Sequence, residues 1–252
     1  MDVSFSYGCL LLVTGFLAGI INTLAGGGSN LTLPSLMVMG MPAEVANATN
    51  RVAVLMQSVT ALFGFKKHGK LDSQDTGPIL LPTIVGGIIG AIAAAYAPSE
   101  WIKPLLLGTM LAMATVILVR PALISPELGT PNKRVKDTPS SWWWLLIAGI
   151  YGGFVQAGVG FVLLAALAGS LRYDLVRANA LKVLCTLVFT LASVVIFIVE
   201  DLILWLPGLI LAAGTMIGAH LAVKMAIKVK ADTLKWFLFI MTLCGTVAAM
   251  LS

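Results

Sequence analysis

The chain has 252 residues, of which 59% are hydrophobic and 11% charged, with a formal net charge of +5 and a mean hydropathy of +0.98. Soluble domains carry about 25% charged residues, so this chain cannot cover a water-facing surface. Its apolar runs lack the period-two alternation of a β-barrel, and Leu105–Val119 and Leu202–Val223 carry no Asp, Glu, Lys or Arg. Runs of that kind approach the ~20 residues that cross a bilayer, so the chain reads as an all-α polytopic membrane protein.

In chain order the pattern predicts ten helical segments, roughly 8–24, 30–40, 45–65, 77–96, 101–119, 142–156, 161–170, 175–199, 203–226 and 232–251. Met1–Tyr7 has no positive region of the kind that opens a secretory signal, so the start is expected to be retained. Between segments fall Pro98, Pro121, Pro126, Pro131 and Pro139, as helix breakers should. Cys9, Cys185 and Cys244 are far apart in apolar runs and imply neither a disulfide nor a metal framework.

Two halves emerge, a first membrane repeat at 1–120 and a second at 142–252, joined by a cytoplasmic linker at 121–141. Gly19-x-x-Asn22 matches Gly153-x-x-Gln156 at an offset of 134 (153 − 19), and Ala46-Asn47-Ala48 matches Ala178-Asn179-Ala180 at 132 (179 − 47). Gly86 and Gly90 match Gly214 and Gly218 at 128 (214 − 86). Lysines and arginines cluster at 66–70, 120–136 and 224–235, which the positive-inside rule places in the cytoplasm. The turns at Ala97–Glu100 and Glu200–Asp201 carry none and are expected outside.

Three crossings per half then leave 8–40 and 142–171, each of which must return to the side it came from. The expected architecture is two inverted repeats, each a re-entrant or broken helical hairpin plus three transmembrane helices, with both termini outside. The second limbs, 30–40 and 161–170, would be about 15 Å long at 1.5 Å per residue, half of the ~30 Å hydrocarbon core.

The hairpin tips would be Ala25-Gly26-Gly27-Gly28-Ser29-Asn30 and Ala157-Gly158-Val159-Gly160. Ser29 or Asn30 is a good N-cap, so the N–H groups and positive dipole end of that limb would point into the tip, an anion-type site. Asn47, Asn50 and Arg51 share one face of the third segment, and Asn179 and Lys182 share a face in the second half. An arginine or lysine at membrane depth must face a partner or a cavity. Arg51 would draw an anion to the helix starts or tie down hairpin carbonyls; Lys182 would do the former or snorkel to the cytoplasmic surface. Asn22 and Gln156 would bind oxygens of a substrate or satisfy hairpin backbone.

Taken together, the candidate substrate-binding residues are Asn22, Gly26, Gly27, Gly28, Ser29, Asn47, Asn50, Arg51, Gln156, Gly158, Asn179 and Lys182. The predicted core holds no Ser/His pair, no carboxylate pair and no metal-ligand cluster, so neither catalytic residues, nor a metal, nor a cofactor is expected. Glu44, Asp174, Glu200 and Asp201 fall near helix ends, so no carboxylate stands ready as a central proton relay.

The run Gly19…Asn22…Gly26-Gly27-Gly28-Ser29…Leu33-Pro34-Ser35-Leu36…Gly40…Ala46-Asn47-Ala48-Thr49-Asn50, with a degenerate copy at 149–182, resembles the sulfite exporter TauE/SafE family of membrane permeases. The resemblance covers the whole chain. It implies an inner-membrane carrier with two repeats and about eight membrane segments, of a family associated with sulfite, sulfonates and other small organosulfur anions. The family's glycine-rich motifs would fall on Asn22–Ser29 and Gln156–Gly160, the second lacking the triple glycine and the following proline. The expected function is a secondary transporter, in the export direction, of such an anion near the membrane midplane. An anion channel, or a carrier for another small anion such as a carboxylate, stays open. Expected partners are the small anion and the lipid bilayer but no nucleic acid, with a homo-oligomer left open.

Overall fold

The computed structural model describes residues 4–24, 26–71, 75–98, 100–106, 108–109, 112 and 132–228. Most of the predicted segment 101–119, the segment 232–251, the linker up to residue 131, Ala25, Lys230, Lys235 and Cys244 lie outside the described residues.

The elements are α1 (Phe5–Leu24), α2 (Ser29–Val38), α3 (Ala43–Lys67), α4 (Thr76–Tyr96), α5 (Pro139–Phe154), α6 (Val159–Leu164), α7 (Leu175–Val199) and α8 (Trp205–Lys228). Helix α6 runs on as a π-helical stretch, Ala165–Ser170. Residues 100–106 are helical as well, and no strand occurs among the described residues.

Four of these helices, α1, α4, α7 and α8, are long and apolar enough to cross a membrane. Helix α3 has 25 residues, about 37 Å, which also suffices; Asn47, Asn50, Arg51 and Gln57 lower its hydropathy and are all buried. By contrast α2 has 10 residues and α5 has 16, about 15 and 24 Å, both short of the ~30 Å core. Outward faces are apolar: Val13, Phe63, Ile89, Val195 and Ile217 are all exposed. Trp143 and Trp144 are exposed near the start of α5, where aromatic rings suit a membrane interface.

Local chemistry explains the element ends. Proline opens α5 at its first position, where its missing N–H is no loss. Asp174 caps α7, its carboxylate accepting from the N–H groups of Val176 and Arg177, both at 3.1 Å.

Two long contacts organise the bundle: α1 lies along α8, and α4 lies along α5, while α3 and α7 pack on each other. Glycine makes both long contacts possible. A Cβ on Gly15 or Gly19 would strike backbone of Leu211 or Thr215, and one on Gly214 or Gly218 would strike backbone of Leu12 or Phe16. In the second contact Gly86 and Gly90 meet backbone of Leu146 and Ile150, while Gly149 and Gly153 meet backbone of Thr83 and Gly87. Small residues at four-residue spacing let membrane helices approach to backbone contact.

The loops gather at two ends. At one, Met39, Met41 and Ile102 share a cluster with Ala97 and Leu204, and Tyr96 donates to Glu200 at 2.7 Å. At the other, Asp75 accepts from the Val135 N–H at 2.9 Å and Leu171 O accepts from the Lys133 N–H at 2.9 Å. The basic residues Lys66, Lys67, Lys70, Lys133, Arg134, Lys136 and Arg172 belong to this second end.

Replacing Gly19 with valine is expected to destabilise the protein by about 1–3 kcal/mol, because the new Cβ meets the Thr215 carbonyl. Gly8→Val, whose Cβ meets nothing within 4 Å, is expected to leave stability unchanged. Thermal unfolding of both variants in detergent checks the contrast.

Candidate functional site

Two helices stop short inside the bundle, α1 at Leu24 and α5 at Phe154. A helix end leaves backbone carbonyls without intrahelical partners, and away from water these must be satisfied by protein. The structure meets both needs with a buried cation from the other half of the chain.

Arg51, on α3, is fully buried. Its Nη1 donates to Gly152 O at 2.5 Å, and its Nη2 donates to Gly153 O at 2.8 Å and Phe154 O at 3.2 Å. Asn47, one turn earlier, donates from Nδ2 to the same Phe154 O at 2.9 Å. The guanidinium carbon lies 5.6 Å from the ring centre of Phe197. Lys182, on α7, is 1% exposed. Its Nζ donates to Asn22 O and Thr23 O, each at 2.9 Å, and to Asn179 Oδ1 at 2.8 Å. A cation at a helix C-terminus also complements the negative end of the dipole.

Arg51 does tie down hairpin carbonyls. Lys182 does not snorkel, and it performs the same task on the other hairpin. Both cations bond carbonyls at helix ends and not the helix starts. The sequence pairs Lys182 with Asn50; by partners it corresponds to Arg51, and Asn179 to Asn47.

Each tip is shaped to let the chain turn while buried. The N–H of Gly26 closes back on Ile21 O at 3.1 Å with φ +99°, a left-handed stop for which glycine carries no penalty. The second hairpin makes the same closure from Gln156 N–H to Tyr151 O at 3.2 Å, with Gln156 at φ +63°. A non-glycine residue there costs about 1–2 kcal/mol. It is fixed by a bond from Nε2 to Thr190 Oγ1 at 3.2 Å, while Tyr151 donates its hydroxyl to Ala157 O. Gln156 is therefore the counterpart of Gly26 rather than of Asn22, which sits inside α1. The second helix stops one turn sooner. Gly158, at φ +74°, then leads into α6.

The tips touch. Gly160 N–H donates to Gly26 O at 3.3 Å, and a Cβ on Gly26 would collide with Gly160 backbone. Gly27 lies against the Phe161 ring, and Gly28 against Ala18 O and Asn22 Cβ. Ser29 is not the N-cap expected from sequence: the cap position is Gly28, with no side-chain cap bond. Ser29 Oγ instead accepts from Asn50 Nδ2 at 3.1 Å, and Asn50 Oδ1 accepts from Thr32 Oγ1 at 2.7 Å, pinning α2 to α3.

Sequence reasoning missed Thr23, Thr32, Thr190 and Tyr151; only Thr32, one turn after Ser29, had a spacing that could have suggested it. Among the described residues, six buried side-chain polar atoms have no hydrogen-bond partner, and five are at the hairpins and their clamps: Thr23 Oγ1, Asn30 Oδ1, Arg51 Nε, Gln156 Oε1 and Asn179 Nδ2. Orphan groups of this kind carry a desolvation penalty that a ligand or water could relieve.

A chain of crossing helices with two broken, cation-capped hairpins meeting tip to tip has the parts of a polytopic membrane transporter. The sulfite exporter TauE/SafE family profile matches residues 11–249, and the chain belongs to this family. It is accordingly a membrane transporter. It is similar to proteins described as "Probable membrane transporter protein". The relative in Haemophilus influenzae is 27% identical over 227 residues, covering 89% of this chain and 87% of its own length. ORF9 of Sinorhizobium sp is 24% identical over 244 residues (96% and 92%), and YfcA of Escherichia coli K12 is 25% identical over 222 residues (86% and 80%).

Arg51→Ala is expected to destabilise the protein by at least about 2 kcal/mol, since each buried carbonyl left unsatisfied costs about 1–3 kcal/mol. Arg51→Lys, which keeps a charge but loses the fork, should fall between. Melting temperatures of the three forms in detergent give the order.

Proposed function

We propose that this transporter moves a small organosulfur anion, sulfite or a sulfonate, in the export direction, binding it beside the hairpin tips near the membrane midplane. One observation carries the reading. Three of the orphan buried atoms, Arg51 Nε, Asn179 Nδ2 and Thr23 Oγ1, are donors, and each belongs to or adjoins a cation clamp. Donors held in place beside positive charge, away from water, suit the oxygens of an anion. Arg51 and Lys182 act on it through their charge, since their carbonyl partners occupy most of their own donors. Asn22, Asn47, Asn50, Gln156 and Ser29 shape the surroundings, and Gly26, Gly27, Gly28 and Gly158 let the tips approach. The choice of sulfur anion and the export direction rest on the family's name.

The reading includes two inverted repeats with re-entrant hairpins in a cell inner membrane. It is supported by the reciprocal clamping of α1 by α7 and of α5 by α3, and by the matching glycine contacts. The basic loop end would be cytoplasmic by the positive-inside rule, leaving Tyr96 and Glu200 outside.

The test is a thermal-shift screen of purified protein with sulfite, methanesulfonate, thiosulfate and acetate, followed by counterflow in proteoliposomes. A ligand at 100 times its Kd stabilises by about 2.7 kcal/mol, so sulfite or a sulfonate should raise the melting temperature, and Thr23→Val should weaken that shift. Stabilisation by acetate alone would contradict the organosulfur reading. Current without counterflow would mark a channel.

A further inference from the structure

We propose that Lys182 is the proton-carrying group of this transporter, a titratable latch on the end of α1 that holds when protonated and lets go when the proton leaves. The proposal rests on the transporter reading above and adds an ion coupled to it. It follows from a difference between two positions doing the same task. Arg51 and Lys182 each clamp the carbonyl end of the opposite hairpin, but a guanidinium does not give up its proton in proteins, whereas an ammonium can.

The geometry around Lys182 makes its protonation state decisive. An ammonium has three N–H bonds, and Nζ has three acceptors, Asn22 O and Thr23 O at 2.9 Å and Asn179 Oδ1 at 2.8 Å. A neutral amine has two N–H bonds and a lone pair. It cannot serve all three oxygens, and its lone pair would face one of them. The last turn of α1 would lose its clamp, together with the tip Gly26–Gly28 that follows it. In the release step one N–H bond breaks, its electron pair stays on Nζ, and the proton passes to a water molecule reaching the tip.

Among the described residues, the other charged or titratable groups on the elements around Lys182 lie elsewhere. Along α1, only Tyr7 and Cys9 can titrate, both near the far end; α2 and residues 159–170 have none. Helix α3 brings Arg51 inward, with Glu44, Lys66 and Lys67 at its ends; α4 has only Tyr96, which donates to Glu200 at the loop end. On α5, Tyr151 donates to Ala157 O. His220 and Lys224 of α8 are exposed. On α7 itself Arg177 pairs with Asp174 at 3.4 Å at the surface, and Cys185 lies one turn further on.

The coupling follows from linkage. An anion beside the tips favours the charged lysine, and the charged lysine favours the anion by the same factor. Proton and anion therefore bind together and travel in the same direction, so that export would run on the anion's own outward gradient, while the Arg51 clamp keeps the second hairpin fixed.

Hydrogen exchange of the full-length protein in lipid nanodiscs tests the latch without needing a substrate. Protection of the amides of residues 19–28, corrected for intrinsic rate, is expected to fall several-fold as the pH is raised from about 6 towards the ordinary lysine value of about 10.4. In Lys182→Arg it should stay constant over that range. Constant protection in the unaltered protein overturns the proposal, and so does an equal loss in Lys182→Arg. In sulfite-loaded proteoliposomes an imposed pH gradient should drive sulfite against its own gradient, and accumulation indifferent to pH would overturn the coupling. Absence of any sulfite movement would count against sulfite as substrate, while the exchange measurement still decides the latch.

Discussion

A helix that ends buried inside a bundle leaves carbonyls that water cannot reach, and the rest of this structure depends on how that constraint is met. Helices α1 and α5 both end inside the bundle, and both are finished by a cation reaching across from the other half. Arg51 holds Gly152, Gly153 and Phe154, while Lys182 holds Asn22 and Thr23. Each clamp joins residues 101 to 160 positions apart. Neither half can complete its own hairpin, so the two halves must fold onto each other.

The glycines serve the same end. Backbone-close packing of α1 on α8 and of α4 on α5 leaves the broken helices no freedom to slide. The bare tips then meet at Gly26 and Gly160, where no side chain fits. There the orphan donors lie beside fixed positive charge, which suits a site for a small anion.

Much of this was legible in the sequence. Apolar runs and prolines located the helices. The lengths of the segments after each tip marked them as too short to cross, and Asn47, Asn50 and Arg51 on one face pointed to the interior. What the clamps hold was not legible, because no local pattern names a carbonyl more than 100 residues away. Gly19 and Gly153, paired by sequence at an offset of 134, both meet backbone of a neighbouring helix. The same offset misleads at Asn22 and Gln156, because α5 stops a turn earlier and Gln156 takes the left-handed position that Gly26 fills in the first hairpin. Ser29 looked like an N-cap, but Asn50 claims its hydroxyl, a tertiary bond that outweighs the local preference.

The clamp across the two halves is open to direct measurement. Solid-state NMR in lipid bilayers can measure 15N–13C dephasing between Lys182 Nζ and the carbonyl carbons of Asn22 and Thr23. With N···O distances of 2.9 Å, both carbons should lie within about 4 Å of the nitrogen and dephase strongly. A lysine nitrogen that shows no dephasing from either carbonyl would mean that the end of α1 is held in some other way.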